Sequence, residues 1–187
     1  MLQEEGLVAV ESNQRARVVE WSPEELEAIF SERILLSALC TRVTVPQLSD
    51  DDIATLRRLD GEMGRATTAD DHAAWQQADI EFHQCHLGLA SPALRADLQR
   101  LYDRALLFRL IWLDEHRFSF SIAQGDHAEI VEACAARDPD AAAAAVARHL
   151  AKVALTLLAR LAPEHDTTSL REALRLASGD IGRGAAS

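Results

Sequence analysis

From Ser22 to Leu161 the apolar residues return at intervals of three and four rather than two, the period at which a helix buries one face. Helix punctuation divides this stretch. Ser22-Pro23-Glu24-Glu25 sets an N-cap, a proline at the first helical position and a capping-box glutamate in order. The helix it opens runs to about Val43, where Val45-Pro46 stops it. Ser49-Asp50-Asp51-Asp52 opens a second, with acids at the positive end of its dipole. A third spans about Asp70 to Leu89, and Ser91-Pro92 starts a fourth, rich in aromatics, that ends near Glu115. A fifth covers about Ala123 to Ala136, and Asp138-Pro139 caps a sixth that continues to about Leu161. After Pro163 the chain turns polar; residues Ser169 to Leu176 can form one more helix, and the final GDIGRGAAS reads as a frayed tail. The fold class is therefore all-α.

The first twenty residues follow another pattern, because Leu7-Val8-Ala9-Val10 and Arg17-Val18-Val19 flank the polar stretch Glu11 to Arg15 as the two arms of a β-hairpin do. A lone hairpin is marginal in water, so this one must pack on the helices or be the remnant of a larger unit.

Composition narrows the function. A length of 187 residues suits one domain with a short appendage. With 19 Lys and Arg against 30 Asp and Glu, the formal charge of -11 repels phosphate backbones, so nucleic acid is a poor partner for this chain taken alone. No apolar run approaches the roughly 20 residues that span a bilayer, and the N-terminus lacks the basic start of a signal peptide, which places the chain in the cytoplasm with no membrane partner. Cys40, Cys85 and Cys134 are widely spaced and odd in number, the pattern of buried reduced thiols.

Candidate chemistry lies on the inward faces of three helices. Asp79 and His83, four apart, share a face with Trp75, Phe82 and His86. His127 has Ile130, Val131 and Cys134 at plus three, four and seven, and His149 stands between Val146 and Val153 on the apolar stripe of the sixth helix. Buried separately, three imidazoles and a carboxylate each need a polar partner. One divalent metal satisfies all four, with zinc, nickel or manganese suited to three nitrogens and an oxygen. His86 is an alternative or supporting ligand, and Cys134 another candidate. Against this stands the plainer reading, since an Asp-x3-His pair arises readily among 30 acids and 7 histidines and a core histidine often bonds a carbonyl. Arg33 has Ile29, Leu36 and Cys40 along its stripe, so its guanidinium points either into the same interior or out to a surface ion pair. His165-Asp166 reads as surface. The chain lacks Glu-x-x-His pairs, HExxH, a P-loop and GxSxG. The fourth helix, with Leu98, Leu101, Leu106, Phe108, Leu110 and Trp112, carries more apolar positions than one stripe holds, which suits a central helix or a subunit interface.

These residues resemble a known family. Asp79-x-x-Phe82-His83, then Asp126-His127-Ala-Glu-Ile130-Val-Glu-Ala133, Arg137-Asp138 and an alanine-rich helix reaching His149-Leu150 are similar to the effector-binding (FCD) domain of FadR-type GntR transcriptional regulators. Phe30-Ser31-Glu32-Arg33-Ile34-Leu35-Leu36 resembles that domain's opening helix, with an arginine at the position of Arg33. The resemblance covers Trp21 to about Leu161. It implies an antiparallel bundle of six or seven helices that dimerises, with Asp79, His83, His127 and His149 at metal-ligand positions and small organic acids as effectors. Leu2-x-x-Glu5-Gly6-Leu7-Val8 and Ser12-Asn13-Gln14-Arg15-Ala16-Arg17-Val18 look like the wing of the family's winged-helix DNA-binding domain, whose helix-turn-helix is expected to be missing here. Arg15 and Arg17 are then weak DNA-binding residues. Departures from the family pattern are Arg15 for the wing glycine, Ser37 for a glutamate and Ser91 for an asparagine.

The expected organisation is a wing remnant at 1–20, a helical effector-binding and dimerisation domain at 21–163, and a polar tail at 164–187. The expected function is sensing of a small carboxylate, bound by the metal, Arg33 and His86, by a homodimeric regulator that reaches DNA through a winged helix. The rival is a metal-dependent enzyme acting on a small organic acid, with Glu129 or His86 as general base. A third reading is an interaction module whose histidines are only core residues. Metal content separates the third from the others, and turnover separates the first two.

Overall fold

The computed structural model describes residues 22–112 and 125–179 together with the backbone of 8–9 and 17–18; the side chains of 86–87 and 106–112 are outside the described set. Seven α-helices occur among the described residues: α1 (Pro23–Thr44), α2 (Asp50–Ala69), α3 (His72–Leu87), α4 (Pro92–Trp112), α5 (Asp126–Ala135), α6 (Pro139–Leu161) and α7 (Thr168–Ala177). A 3-10 turn, Val45–Gln47, links α1 to α2.

The helix starts follow from local chemistry. The Ser22 hydroxyl accepts the Glu25 N–H at 3.0 Å ahead of Pro23. Ser49 and Asp52 form a reciprocal capping box, the Asp52 N–H donating to Ser49 Oγ at 3.1 Å and the Ser49 N–H to Asp52 Oδ2 at 2.8 Å. Asp138 Oδ1 accepts the N–H groups of Asp140 and Ala141 at 3.1 and 2.9 Å. Asp70 and Arg137 close α2 and α5 with φ of 55° and 56°, and the Arg137 side chain reaches back to the Leu48 carbonyl and Asp50.

The hub of the bundle is α1, which packs on α4, α6 and α7, rather than the fourth helix. Its Leu26, Ile29, Phe30 and Ile34 are buried against one core that includes Leu56 and Leu59 of α2, Phe82 of α3, Ile130 of α5 and Leu157 and Leu158 of α6. In α6 the small side chains Ala142, Ala143, Ala147, Ala151 and Ala154 are also buried, which lets the helix lie close to its neighbours. This helix is long and apolar enough to cross a membrane by length and composition, contrary to the expectation from run length, and 61% of that apolar window is buried inside the bundle. In α4, Leu98, Leu101 and Ala105 are buried; the side chains of Leu106, Phe108, Leu110 and Trp112 lie outside the described residues.

The expected hairpin falls almost wholly outside the described residues. Val8–Ala9 and Arg17–Val18 pair antiparallel, two residues with two, and among the described residues from 22 onward there is no strand. Arg15, the side chain of Arg17, the segment 113–124 and the tail from 180 lie outside the described residues.

Two expectations for the C-terminal segment are corrected. Residues 168–177 are part of the bundle and not of a polar tail, because Leu170, Ala173 and Ala177 lie on one stripe and are buried. His165 is not on the surface either. Its side chain is only 11% exposed, and its Nε2 lies 2.9 Å from Glu27 Oε2. Glu27, itself 7% exposed, uses its other oxygen to accept the Leu170 N–H at 3.0 Å, so a carboxylate from α1 caps the positive end of α7. At the opposite end Arg42 of α1 donates to the Ala177 carbonyl at 2.8 Å. The two charges of α1 thus match the two ends of the α7 dipole.

Removing a buried acceptor strands its donors, at about 1–3 kcal/mol for each group left unpaired. Glu27→Ala is therefore expected to lower the unfolding free energy by at least about 1–3 kcal/mol in urea titration, with Glu27→Gln less damaging because its carbonyl still accepts. An unchanged midpoint in Glu27→Ala would show that α7 docks by apolar contacts alone.

Candidate metal centre

Three helices each contribute to one cluster. The spacing of four on α3 puts Asp79 and His83 on one face, α5 brings His127 from its first turn, and α6 brings His149. Asp79 Oδ1 lies 3.5 Å from His83 Nε2 and 3.5 Å from His127 Nε2. The ring centroids are 5.5 Å apart for His83 and His127, 5.4 Å for His83 and His149, and 4.8 Å for His127 and His149. Each histidine offers one ligand atom, and the three lie within 4.8 Å of one another. Phe82, centred 4.7 Å from the His127 ring, and Trp75 at 6.4 Å form an apolar wall.

The cluster is buried. Asp79, His127 and His149 are 2%, 3% and 4% exposed. Desolvation holds the His127 pKa well below its ordinary 6.5, and the nearby imidazoles of His149 and His83 add to it, while Asp79 and Asp126 pull the other way. Desolvation also lowers His149, with the Asp126 hydrogen bond opposing. Both imidazoles are thereby kept neutral, the form that ligates metals.

The donor set fits a divalent cation. His127 Nε2 is buried with no hydrogen-bond partner, a cost that a protein interior rarely leaves unmet. A tetrahedral ion with bonds of about 2.0–2.1 Å spaces its ligands about 3.3 Å apart, close to the separations around Asp79 Oδ1. The three histidines can therefore hold a metal ion, and Asp79 lies beside two of them.

The remaining candidates are placed differently. Arg33 is 8% exposed; its guanidinium lies 5.3 Å from the Phe30 ring and 5.2 Å from the Tyr102 ring. The His86 side chain lies outside the described residues. Cys134 sits in the main core, and burial pushes its thiol up to about 11, leaving it protonated at neutral pH. Glu129 pairs with Arg148 at the surface. Asp126 escaped the sequence reading as a member of the site. Its Oδ2 lies 3.5 Å from His149 Nδ1, and its carboxylate is held below the usual range by His149 and Lys152. Only the adjacency Asp126-His127 marked it, and its contact is with a residue on another helix.

The family profile of the FCD domain matches residues 28–152. Comparison with curated proteins gives no match. Among solved structures the chain is similar to McbR/YncC of E. coli, at TM-score 0.72 and 18% identity over 85% of this chain and 80% of that one. It is also similar to GntR of Streptococcus agalactiae, at 0.57 and 19% over 83% and 77%. A GntR-family transcriptional regulator from Pseudomonas syringae pv. tomato aligns at 0.59 and 21% over 88% and 70%. At these identities the likeness is one of fold.

A histidine with a lowered folded pKa stays neutral where the unfolded chain has already bound a proton. Metal-free protein should therefore lose stability as pH falls below 6.5, the window set by His127 and His149. His127→Gln should flatten that slope in denaturant titrations between about pH 6.5 and 5; a slope equal to wild type would mean that His127 is protonated in the folded state.

Proposed function

The chain belongs to the FCD domain family, and from that premise we propose that it is the effector-sensing domain of a FadR-type GntR transcriptional regulator, holding a divalent metal on Asp79, His83, His127 and His149 and responding to a small carboxylate. The observation that carries this reading is the convergence of three imidazoles, beside the Asp79 carboxylate, in the interior of the bundle, with His127 Nε2 unpartnered. A bound metal would supply a Lewis-acid anchor for a carboxylate oxygen, and zinc, nickel or manganese suits the donor set. Arg33 would take a second carboxylate. Its guanidinium is already desolvated and oriented between two rings, and the fork geometry favours bidentate pairing. His86 is retained as a supporting effector contact. FCD domains are regulatory rather than catalytic, and Glu129, one of the enzyme reading's two candidate general bases beside His86, is engaged by Arg148.

The effector acts by population shift, favouring whichever arrangement of the bundle completes its contacts. The second copy needed for a dimer has a matching surface on α1, where Leu35, Leu39 and Val43 are 42%, 51% and 51% exposed at successive intervals of four. The proposed division keeps the wing segment at 1–20, extends the sensing unit through α7 to residue 177, and leaves only the end as tail. DNA is reached through a winged helix of which Arg15 and Arg17 belong to the wing, in a cytoplasmic protein with no membrane partner.

Elemental analysis should give about one divalent metal per chain, with a chelator lowering the melting temperature because binding to the folded state stabilises it. Citrate, malate or succinate should raise that temperature in metal-loaded protein, and Arg33→Ala should reduce the rise far more than the metal content. No metal, with an unchanged melt in His149→Ala, would return the histidines to a purely structural role.

Leu39→Glu should convert the dimer to monomer in light scattering without loss of helicity. A dimer that persists would move the interface off α1.

A further inference from the structure

Asp126 opens α5, one residue before His127, yet its carboxylate meets α6. Its Oδ2 lies 3.5 Å from His149 Nδ1, and Lys152 Nζ reaches both of its oxygens, at 2.9 and 3.1 Å. His149 and Lys152 are three apart on α6 and so grip one carboxylate from a single face. The titratable groups facing His149 from the packed helices include Asp79 and His83 of α3 and Asp126 and His127 of α5. Asp79 Oδ1 is already shared by the Nε2 atoms of His83 and His127. Asp126 is thus the acceptor in reach of His149 Nδ1.

From this arrangement we infer that Asp126 is a positioning residue for the metal centre, holding His149 with its proton on Nδ1 and its lone pair on Nε2, and that Lys152 keeps Asp126 in place. The inference rests on the metal reading above. Its chemistry is simple. A neutral imidazole has one N–H and one lone pair, and an ionised carboxylate only accepts, so the nitrogen beside Asp126 must be the donor. The other nitrogen is then free to ligate, and a carboxylate behind a ligating histidine both fixes the ring and raises its basicity. Lys152 is half exposed and Asp126 about a quarter exposed, so a salt bridge there stabilises little by itself. Its value lies in where it holds the carboxylate.

Zinc and nickel titrations of the full chain by calorimetry, with a competing chelator, test this in wild type, Asp126→Asn, Asp126→Ala, Lys152→Met and His149→Ala. Asp126→Ala should keep a stoichiometry of one metal and lose about 10–100-fold in affinity. Asp126→Asn should recover part of the loss through its carbonyl, and Lys152→Met should lose less than Asp126→Ala. Nitrogen-15 spectra of the metal-free protein should show His149 protonated at Nδ1, and Asp126→Ala should abolish that preference. Wild-type affinity in Asp126→Ala, or an Nε2–H tautomer in wild type, would overturn the role. Loss of binding as complete as in His149→Ala would also overturn it, by making Asp126 a ligand. Wild-type protein that binds neither metal would remove the metal reading itself, while the tautomer measurement would still report on the Asp126 contact.

Discussion

A carboxylate and three imidazoles gathered in the interior of the bundle constrain everything around them. Protonation of His127 and His149 is opposed by burial first and by the neighbouring imidazoles second. The low-cost solution is a cation that takes lone pairs from all of them. Such a site requires α3, α5 and α6 to be held in register, because their donors must meet within a few ångströms. Phe82 and Trp75 pack their rings against His127 on the apolar side of the cluster.

That register depends on α1, to which the rest of the bundle is tied by charge as well as by apolar contact. Glu27 and Arg42 grip the two ends of α7, and Arg42 also meets Asp140 at the start of α6 at 2.8 Å. Glu25 pairs with Arg104 of α4 at 2.8 Å. The same helix carries Arg33 on its inner face and the exposed stripe of Leu35, Leu39 and Val43 on its outer face. A ligand that engages Arg33 therefore acts on the helix proposed to join two copies, and coupling between effector and dimer geometry needs no longer path than the thickness of α1.

The helix starts were legible in the sequence because caps are local: Ser22, Ser49 and Asp138 each bond backbone groups within three residues. The pairing of Asp79 with His83 was legible for the same reason, since a spacing of four sets two side chains on one face of any helix. The inward faces of His127 and His149 followed from their apolar neighbours. His165 was misread because its segment is polar, and its partner Glu27 stands 138 positions away on α1. Asp126 was passed over in the same way, because its contact with His149 crosses from α5 to α6.

By itself, then, the sequence determined which segments are helical, where they start, and which faces carry the candidate ligands. These depend on hydrogen bonds and periodicity spanning a turn or two. Only the tertiary structure decided that the three histidines meet at one point with Asp79 and that Arg33 stacks between Phe30 and Tyr102. It likewise decided that Glu27 caps a distant helix and that α1 rather than α4 is the hub. Such contacts are set by how helices pack, which depends on the shapes of whole faces and on the burial of charge, quantities that no local stretch of the chain contains.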